Sequence, residues 1–150
     1  MRKLSALVLF LILSTPRLSS AQALDPSKML KPPTDSWPTY NGDYSGRRFS
    51  PLTQINKLNV NTLSLAWAFQ SRTPGLQAMP LEVNGILYIA GGNQAWAIDA
   101  RTGRQIWHFA KPGVTPSGGD KGFAMWHDRL YMTTFDAQLL CHPWLQAARY

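Results

Sequence analysis

Residues 97–107 read AIDARTGRQIW, and this stretch decides the fold. The carboxylate of Asp99 can accept hydrogen bonds from the backbone of a tight turn, and Gly103 provides the positive φ that hairpin turns favour. Trp107 then offers a large flat apolar face to a neighbouring sheet. An ordinary hairpin with a core tryptophan would explain each residue separately, so the pattern gains its weight from the repeat around it.

The chain repeats itself at intervals of about 40 residues. LAWAF at 65–69 matches QIWHF at 105–109, and GILYI at 85–89 matches DRLYM at 128–132. Four short antiparallel strands in each 40–45 residues are typical of a β-propeller blade. An antiparallel sandwich also contains many short strands, but it gives no reason for tryptophans at matching points. We therefore predict an all-β fold that is a partial β-propeller of one to two four-stranded blades.

Period-two alternation and turn residues predict where the strands lie. The Asn84-Gly85 pair is the strongest hairpin signal. Residues 56–63 could form one helical turn, and residues 110–120 form a loop rich in Pro, Gly and Ser. The predicted strands are 63–70, 81–83, 86–90, 94–98, 105–109, 122–126, 129–133 and 138–141.

The composition excludes several classes of protein. The chain has 150 residues, of which 45% are hydrophobic and 15% charged, so it can bury a core and is not wholly disordered. One cysteine closes no disulfide within the chain, which excludes a disulfide-stapled mini-protein. Cys141 could be a free buried thiol, an intermolecular bridge, or a residue outside the true fold.

The first 23 residues have the organisation of a secretory signal peptide. Two basic residues precede an apolar run at 4–13 that is too short to span a membrane, and small residues follow. We predict cleavage after Ala23, with Ala21 as the alternative, and a periplasmic or secreted location. A retained membrane anchor is the other interpretation, although no second stretch approaches membrane length.

Part of the basic balance belongs to this signal. The whole chain has a formal charge of +7, and residues 24–150 carry 12 Lys and Arg against 8 Asp and Glu. Their basic residues are dispersed, whereas a nucleic-acid groove needs a basic patch, so we predict no nucleic-acid partner. Residues 24–36 are rich in Pro and are predicted to be an extended lead-in to the propeller portion at 37–141.

The stretch that follows the lead-in resembles a known family. Residues 35–52 read DSWPTYNGDYSGRRFSPL, and with 63–67 and the motif at 97–107 they resemble the pyrroloquinoline quinone (PQQ)-dependent alcohol and sugar dehydrogenases. The likeness covers 35–141, the beginning of an eight-bladed propeller of several hundred residues. The docking motif also occurs in related propellers without enzyme activity, so a non-enzymatic scaffold or binding protein is the alternative.

The resemblance implies a periplasmic oxidoreductase with PQQ in a central channel, usually beside Ca²⁺. Such an enzyme takes two electrons from a small alcohol or sugar and passes them to a cytochrome or another acceptor. The catalytic Asp and the metal ligands of the family would lie in later blades. The resemblance therefore assigns no catalytic and no metal-binding residue to this chain.

Two cofactor-binding candidates follow from matching positions in the family. Gln77 stands where the family often has a Glu that contacts the quinone, and it can still hydrogen-bond a carboxylate or carbonyl. Lys121 stands near an Arg that contacts the quinone, and it keeps the positive charge without the planar fork. A polar rim residue and a solvated turn lysine are the alternative interpretations.

Other polar residues carry weaker signals. Residues 110–120 lack the adjacent cysteine pair of many alcohol-oxidising members, and the chain has no C-x-x-C-H haem motif. The three histidines, His108, His127 and His142, lack metal-ligand spacing and are predicted to lie at the surface or rim. Asp128 and Asp136 are predicted to shape turns.

The repeat stops near the end of the chain. An offset of 43 residues would place an Asp near 142, Thr-Gly at 145–146 and Trp at 150, and none of these is present. We predict that 142–150 is a non-homologous tail. Because one to two blades cannot close a ring, we expect this chain to be weakly stable alone and inactive as a dehydrogenase.

Overall fold

A computed structural model describes residues 24–73, 75–113 and 121–143. The predicted signal peptide at 1–23, most of the loop at 110–120 and most of the predicted tail at 142–150 lie outside the described residues. The described residues form seven strands in two antiparallel sheets. None of their helices is long and apolar enough to cross a bilayer.

The first sheet contains four strands in sequence order. These are β1 (Leu81–Val83), β2 (Ile86–Gly91), β3 (Gln94–Asp99) and β4 (Gln105–Ala110). Asn84 and Gly85 connect β1 to β2 with φ of 55° and 78°. Gly92 and Asn93 connect β2 to β3 with φ of 60° and 61°. Two successive positive φ values produce the tight turn whose twist matches paired strands, so the predicted hairpins form.

The second sheet contains three strands, also in sequence order. They are β5 (Ala124–Trp126), β6 (Arg129–Thr133) and β7 (Leu139–His142). Both sheets lie where the sequence predicted strands. β5 begins two residues later than expected, and β7 begins and ends one residue later.

The two faces of the first sheet are covered by different parts of the chain. One face meets the second sheet, and their shared core includes Tyr88, Ala97, Leu130 and Met132. On the opposite face, Ile89, Trp96 and Ile98 form a second cluster against Trp67 and Phe69. A four-stranded antiparallel sheet stacked on a second antiparallel sheet is the arrangement of neighbouring propeller blades, which confirms the predicted partial β-propeller.

The prediction of a strand at 63–70 is wrong, because these residues belong to neither described sheet. The described residues provide no strand partner for it. Trp67 and Phe69 pack on the first sheet, whereas Leu63 and Leu65 are 60% and 83% exposed. Only the second half of the alternating residues therefore packs onto the sheet, and the alternation does not reflect a hydrogen-bonded neighbour among the described residues.

The lead-in at 24–36 is more structured than predicted. Pro26–Leu30 form a 3-10 helix that places Met29 in the main core, and the Asp25 carboxylate caps it by accepting from the Ser27 amide at 2.9 Å. Val60–Thr62 form a second 3-10 helix within the helical turn predicted at 56–63. The lead-in therefore contributes to the core.

Two backbone bridges attach the N-terminal segment to both sheets. The Trp37 amide donates to the Glu82 carbonyl at 2.6 Å, and the Glu82 amide returns a bond at 3.0 Å. The Leu24 amide donates to the carbonyl of His127 at 2.9 Å. The segment thus runs along the first strand of the first sheet and reaches the β5–β6 turn.

Candidate functional site

Two loops meet where they lead into the first strand of each sheet. Gln77 precedes β1 and Lys121 precedes β5, and the two residues are 44 positions apart in the sequence. The Lys121 ammonium nitrogen lies 3.4 Å from Oε1 of Gln77, and both side chains are exposed. The structure therefore brings together the two residues predicted from the sequence as cofactor-binding candidates.

The backbones of these loops are also in contact. Gly122 has a φ of +111°, and a Cβ added there would lie 3.4 Å from the Met79 carbonyl oxygen and 3.7 Å from Ala78 Cβ. Ala78 packs against the main core, and Phe123 is buried in it. Packing against the core thus fixes both loops, while the side chains of Gln77 and Lys121 remain exposed.

The segment that carries Gln77 is held from the first sheet. Leu76 lies against Gly91 so closely that a side chain at that glycine would overlap it. Gln94 Nε2 donates to Thr73 Oγ1 at 3.0 Å. The Oε1 atom of the same Gln94 is 2.8 Å from His108 Nε2. A chain of polar contacts therefore links β4 through β3 to the segment ahead of Gln77.

His108 takes part in this positioning through its ring as well. Its imidazole stacks on Trp96 with centroids 5.1 Å apart and an angle of 11°. The sequence predicted that His108 lies at the surface, and the residue is exposed. The bond between His108 and Gln94 was not predicted. The signal was available in principle, because alternation places Trp96 and His108 on one face of adjacent strands.

The chemistry of the Gln77–Lys121 pair is that of anion recognition. The ammonium group supplies positive charge and hydrogen-bond donors, and the amide supplies both a donor and an acceptor. Neither side chain has an adjacent nucleophile or base among the contacts of the described residues. The pair can bind and orient a carboxylate or carbonyl oxygen.

A concave site, separate from the Gln77–Lys121 pair, lies between the N-terminal segment and β1. Glu82 accepts from the Gly85 amide at 2.7 Å, and burial is the main cause that raises the pKa of its carboxyl above the usual value. The nearby charge of Asp35 raises this pKa further. The cavity has a volume of about 330 Å³ and is lined by Pro33, Thr34, Asp35, Ser36, Trp37, Ser50, Leu52 and Glu82.

Sequence reasoning missed Glu82, although it precedes the Asn84-Gly85 turn by two residues. Its bond to the Gly85 amide satisfies a turn donor, which is a structural task. Asp35 is paired with Lys28 at 3.0 Å, and Glu82 accepts from the Gly85 amide. Both carboxylates that line this cavity therefore already have partners.

The remaining polar candidates are dispersed over the described residues. His127 lies exposed in the β5–β6 turn, and Asp136 pairs with Lys111. Cys141 is exposed on β7, with its sulfur 3.7 Å from a guanidinium nitrogen of Arg129. The described ranges contain no group of three or more His, Cys, Asp or Glu side chains arranged to hold a metal ion.

A family model matches most of the chain. The model for the β-propeller domain of PQQ glucose, ethanol and alcohol dehydrogenases matches residues 37–142. The chain is 38% identical to the quinohemoprotein alcohol dehydrogenase of Comamonas testosteroni over 117 residues, which are 71% of this chain and 16% of that protein. It is 37% identical to the quinoprotein glucose dehydrogenase of Escherichia coli K12 over 95 residues, 56% of this chain and 12% of that protein.

Solved structures show the same likeness in three dimensions. The crystal structure of the Comamonas testosteroni enzyme matches with a TM-score of 0.71 and 32% identity, over 81% of this chain and 20% of that one. A europium-containing methanol dehydrogenase matches with a TM-score of 0.61 and 29% identity, over 77% of this chain and 22% of that one. The chain thus spans about a fifth or less of the length of these relatives.

Proposed function

Because the chain belongs to the family of PQQ-dependent dehydrogenase β-propellers, we propose that it supplies two neighbouring blades and one wall of the cofactor site in an enzyme that oxidises an alcohol or a sugar. Its named relatives include alcohol dehydrogenases and a glucose dehydrogenase. Since the chain spans only a small part of their length, the activity belongs to a larger assembly of blades.

The observation that carries this proposal is the meeting of Gln77 with Lys121. These residues come from the loops ahead of β1 and β5, in two different blades, and their polar atoms are 3.4 Å apart. A contact between exposed tips on packed loops is a suitable place for a ligand that bridges two blades. Ligand sites in proteins are orientated by a few convergent polar groups of this kind.

The two side chains fit the polar oxygens of PQQ. Lys121 would attract a carboxylate as a compact positive charge, and Gln77 would hold a carbonyl or carboxylate oxygen through its amide. When bound, the quinone supplies the redox chemistry by accepting two electrons from the substrate. The role of these residues is to bind the cofactor and orient it.

The Ca²⁺ that usually accompanies PQQ in this family does not fit the described residues. Ca²⁺ takes six to eight oxygen ligands, and the described ranges contain no cluster of acidic groups of the required kind. We therefore place the metal ligands and the catalytic Asp in other blades of the enzyme. No step in this chain depends on the metal.

We also propose that the protein is exported to the periplasm and passes electrons to a cytochrome or another acceptor there. The support is the signal-like sequence at 1–23. N-terminal sequencing of the exported protein should find Leu24, or Gln22 after the alternative cleavage. A mature protein that begins at Met1 would contradict this part of the proposal.

Equilibrium binding of PQQ tests the cofactor role. Quenching of tryptophan fluorescence by PQQ should saturate, and Lys121→Gln should weaken binding about tenfold, because a hydrogen bond to a charged group contributes roughly 1.5–3 kcal/mol. Lys121→Arg should retain binding, since it keeps the charge and adds a planar fork.

Lys57→Gln is the matched control for that experiment. It removes the same charge from an exposed residue on the segment ahead of the first sheet. Equal effects of Lys57→Gln and Lys121→Gln would show that only net charge matters, and this would contradict the proposed site.

A non-enzymatic propeller is the second candidate function. The Trp67 contact with the Asp99–Gly103 turn stabilises blade stacking without any cofactor, which is the observation in its favour. This candidate predicts no saturable binding of PQQ and no effect of Lys121→Gln. The same titration therefore separates the two functions.

A further inference from the structure

Two turns of the chain contain the sequence Asn-Gly, at Asn41-Gly42 and at Asn84-Gly85. In such a pair the backbone nitrogen of the glycine can attack Cγ of the asparagine side chain, because glycine has no side chain to obstruct the approach. Asparagine is for this reason one of the thermolabile residues of proteins. The two pairs lie in different surroundings, so the structure determines which of them reacts.

The reaction needs only water and conserves all atoms. The glycine amide loses its proton, the nitrogen forms a bond to Cγ, and the asparagine side-chain nitrogen takes up that proton and leaves as ammonia. Water then opens the resulting succinimide ring at either carbonyl, which yields aspartate or isoaspartate. In isoaspartate the backbone runs through the former side chain, so the main chain becomes one carbon longer. No electron is transferred, and no cofactor takes part.

The exposed pair, Asn84-Gly85, is held in a way that opposes the first step. The Gly85 amide donates to Oε1 of Glu82 at 2.7 Å. Loss of the amide proton would place a negative charge on the nitrogen directly beside a carboxylate, and a like charge at such a distance disfavours ionisation. The Glu82 carboxylate therefore opposes the reaction at Asn84, although both residues of the turn are exposed.

The other pair, Asn41-Gly42, has the opposite electrostatic surroundings. The Gly42 amide donates to the uncharged carbonyl of Thr39 at 3.1 Å. The side-chain oxygen of Asn41 accepts from Nε of Arg48 at 2.8 Å, and the guanidinium lies 4.9 Å from the ring centre of Tyr40. When the Gly42 nitrogen attacks, this oxygen gains negative charge, and the cationic donor stabilises it as the donors of an oxyanion hole do.

We propose that Asn41 converts spontaneously to isoaspartate because Arg48 activates it. The Glu82 carboxylate protects Asn84 from the same reaction. Exposure alone predicts the reverse order, because the turn at Asn84 is exposed whereas Gly42 is buried. The charge beside each pair, a guanidinium in one case and a carboxylate in the other, overrides this difference. The reaction is independent of the PQQ site.

Packing explains why glycine follows Asn41 in spite of this reaction. A Cβ added at Gly42 would lie 2.9 Å from Pro33 Cγ and 3.0 Å from the ring of Trp37. The Trp37 amide in turn donates to the Glu82 carbonyl at 2.6 Å. A longer backbone at Asn41 would displace Gly42 from its place against Trp37. We therefore expect the conversion to loosen the bridge that attaches the N-terminal segment to β1.

Incubation of the whole chain in mildly alkaline buffer, with and without urea, tests the proposed order. Peptide mass spectrometry and enzymatic methylation of isoaspartate measure the conversion at each asparagine. In the folded chain Asn41 should convert about tenfold faster than Asn84, since an oxyanion donor contributes at least this much in enzymes. In urea the two rates should converge, because the contacts that distinguish the pairs are lost. Equal rates in the folded chain, or faster conversion at Asn84, would overturn the assignment.

Arg48→Gln tests the activation, and Arg47→Gln is its matched control. Arg48→Gln should slow the conversion of Asn41 about tenfold. Arg47→Gln removes the same charge from the neighbouring position, but the contact that it breaks is to Ser45 Oγ at 3.0 Å, so the rate should stay unchanged. Equal effects of the two substitutions would contradict the activation. If rapid exchange of the Gly42 amide shows that Arg48→Gln unfolds the turn, Arg48→Lys decides, because it keeps a cationic donor and must preserve the conversion.

Glu82→Gln tests the protection. Glutamine keeps an oxygen acceptor for the Gly85 amide but removes the negative charge, so the conversion of Asn84 should accelerate several-fold. An unchanged rate at Asn84 would disprove the protective role. Hydrogen exchange at the Trp37 amide should accelerate as Asn41 converts, and constant exchange would contradict the expected loosening of the bridge.

Discussion

Gly103 is the residue on which the tryptophan docking depends. Its φ is +70°, and a Cβ added there would lie 2.6 Å from the nearest ring carbon of Trp67. The Asp99 carboxylate accepts from the amides of Arg101 and Thr102 at 2.9 and 3.0 Å. These bonds hold the pKa of Asp99 below its usual value. The turn is therefore built to present a flat surface to an indole.

Gly103→Ala should lower the free energy of unfolding by roughly 1–3 kcal/mol from backbone strain alone, and further because the methyl group overlaps Trp67. Gly85→Ala is the control, since its φ is +78° and nothing lies within 4 Å of the added carbon. Urea unfolding of both variants measures the difference. Equal losses would contradict the docking role of Gly103.

Tyr88 is a buried phenol in the core between the sheets. It is 0% exposed, and its hydroxyl has no hydrogen-bond partner among the described residues. Burial, and secondarily the charge of Glu82, raise the pKa of Tyr88 well above 10. An unsatisfied buried hydroxyl opposes folding, although the ring packs near Trp107 with centroids 6.2 Å apart.

Tyr88→Phe should therefore increase the free energy of unfolding by about 1 kcal/mol at neutral pH. The raised pKa means that the unfolded phenol ionises first as pH rises through about 10, so the parent chain loses stability there. The advantage of the variant should widen between pH 9 and 11. Urea titrations at several pH values measure this, and a destabilised variant with no pH trend would refute it.

Two turns form a polar bridge between the sheets. Asn93, between β2 and β3, is 1% exposed, and its Oδ1 accepts from the Phe135 amide at 2.9 Å across 42 residues of sequence. Its carbonyl accepts from the Lys111 amide at 3.1 Å. The Lys111 side chain pairs with Asp136 in the same β6–β7 turn as Phe135. The bridge fixes one end of the blade interface.

Asn93→Gly should weaken this bridge without straining the turn, because glycine accepts the φ of 61°. We expect a loss of roughly 1–3 kcal/mol, since the Phe135 amide loses its acceptor. Hydrogen exchange at that amide should accelerate. Asn84→Gly, in the exposed turn between β1 and β2, is the control and should change stability by less than about 0.5 kcal/mol.

The strands were predictable where local chemistry determines them. Asn84-Gly85 requires a hairpin, and the nearly continuous buried runs of β2 and β3 follow from their two covered faces. Period-two alternation gave the wrong answer at 63–70, because it does not report the presence of a hydrogen-bonded neighbour. The Asn93–Phe135 bond could not be predicted, since it depends on how two sheets stack.

The candidate site was predictable only in part. Family resemblance indicated Gln77 and Lys121 by position, but their contact depends on the juxtaposition of β1 and β5. Glu82 and the chain from Thr73 through Gln94 to His108 were not predicted, because each bond joins segments whose spacing is set by tertiary packing. Resemblance identifies positions, whereas packing determines which positions meet.

The layers of the whole molecule predict an order of stability. The first sheet is covered by the second sheet on one face and by Trp67 and Phe69 on the other. Hydrogen exchange should therefore be slowest in β2 and β3, and faster in β6 and β7. Faster exchange in β3 than in β6 would contradict this layering.

Since one to two blades enclose no channel, the chain alone should not reduce a dye with alcohol, PQQ and Ca²⁺.

The most direct measurement is a titration of the isotope-labelled chain with PQQ, followed by NMR. We predict that shifts concentrate at residues 77–79 and 121–123 and at the Gln77 side-chain amide. Lys121→Gln should raise the PQQ concentration at half-saturation about tenfold, while Lys57→Gln should leave it unchanged. Shifts that are absent from both loops, or that survive equally in Lys121→Gln, would contradict the claim that these loops form one wall of a PQQ site.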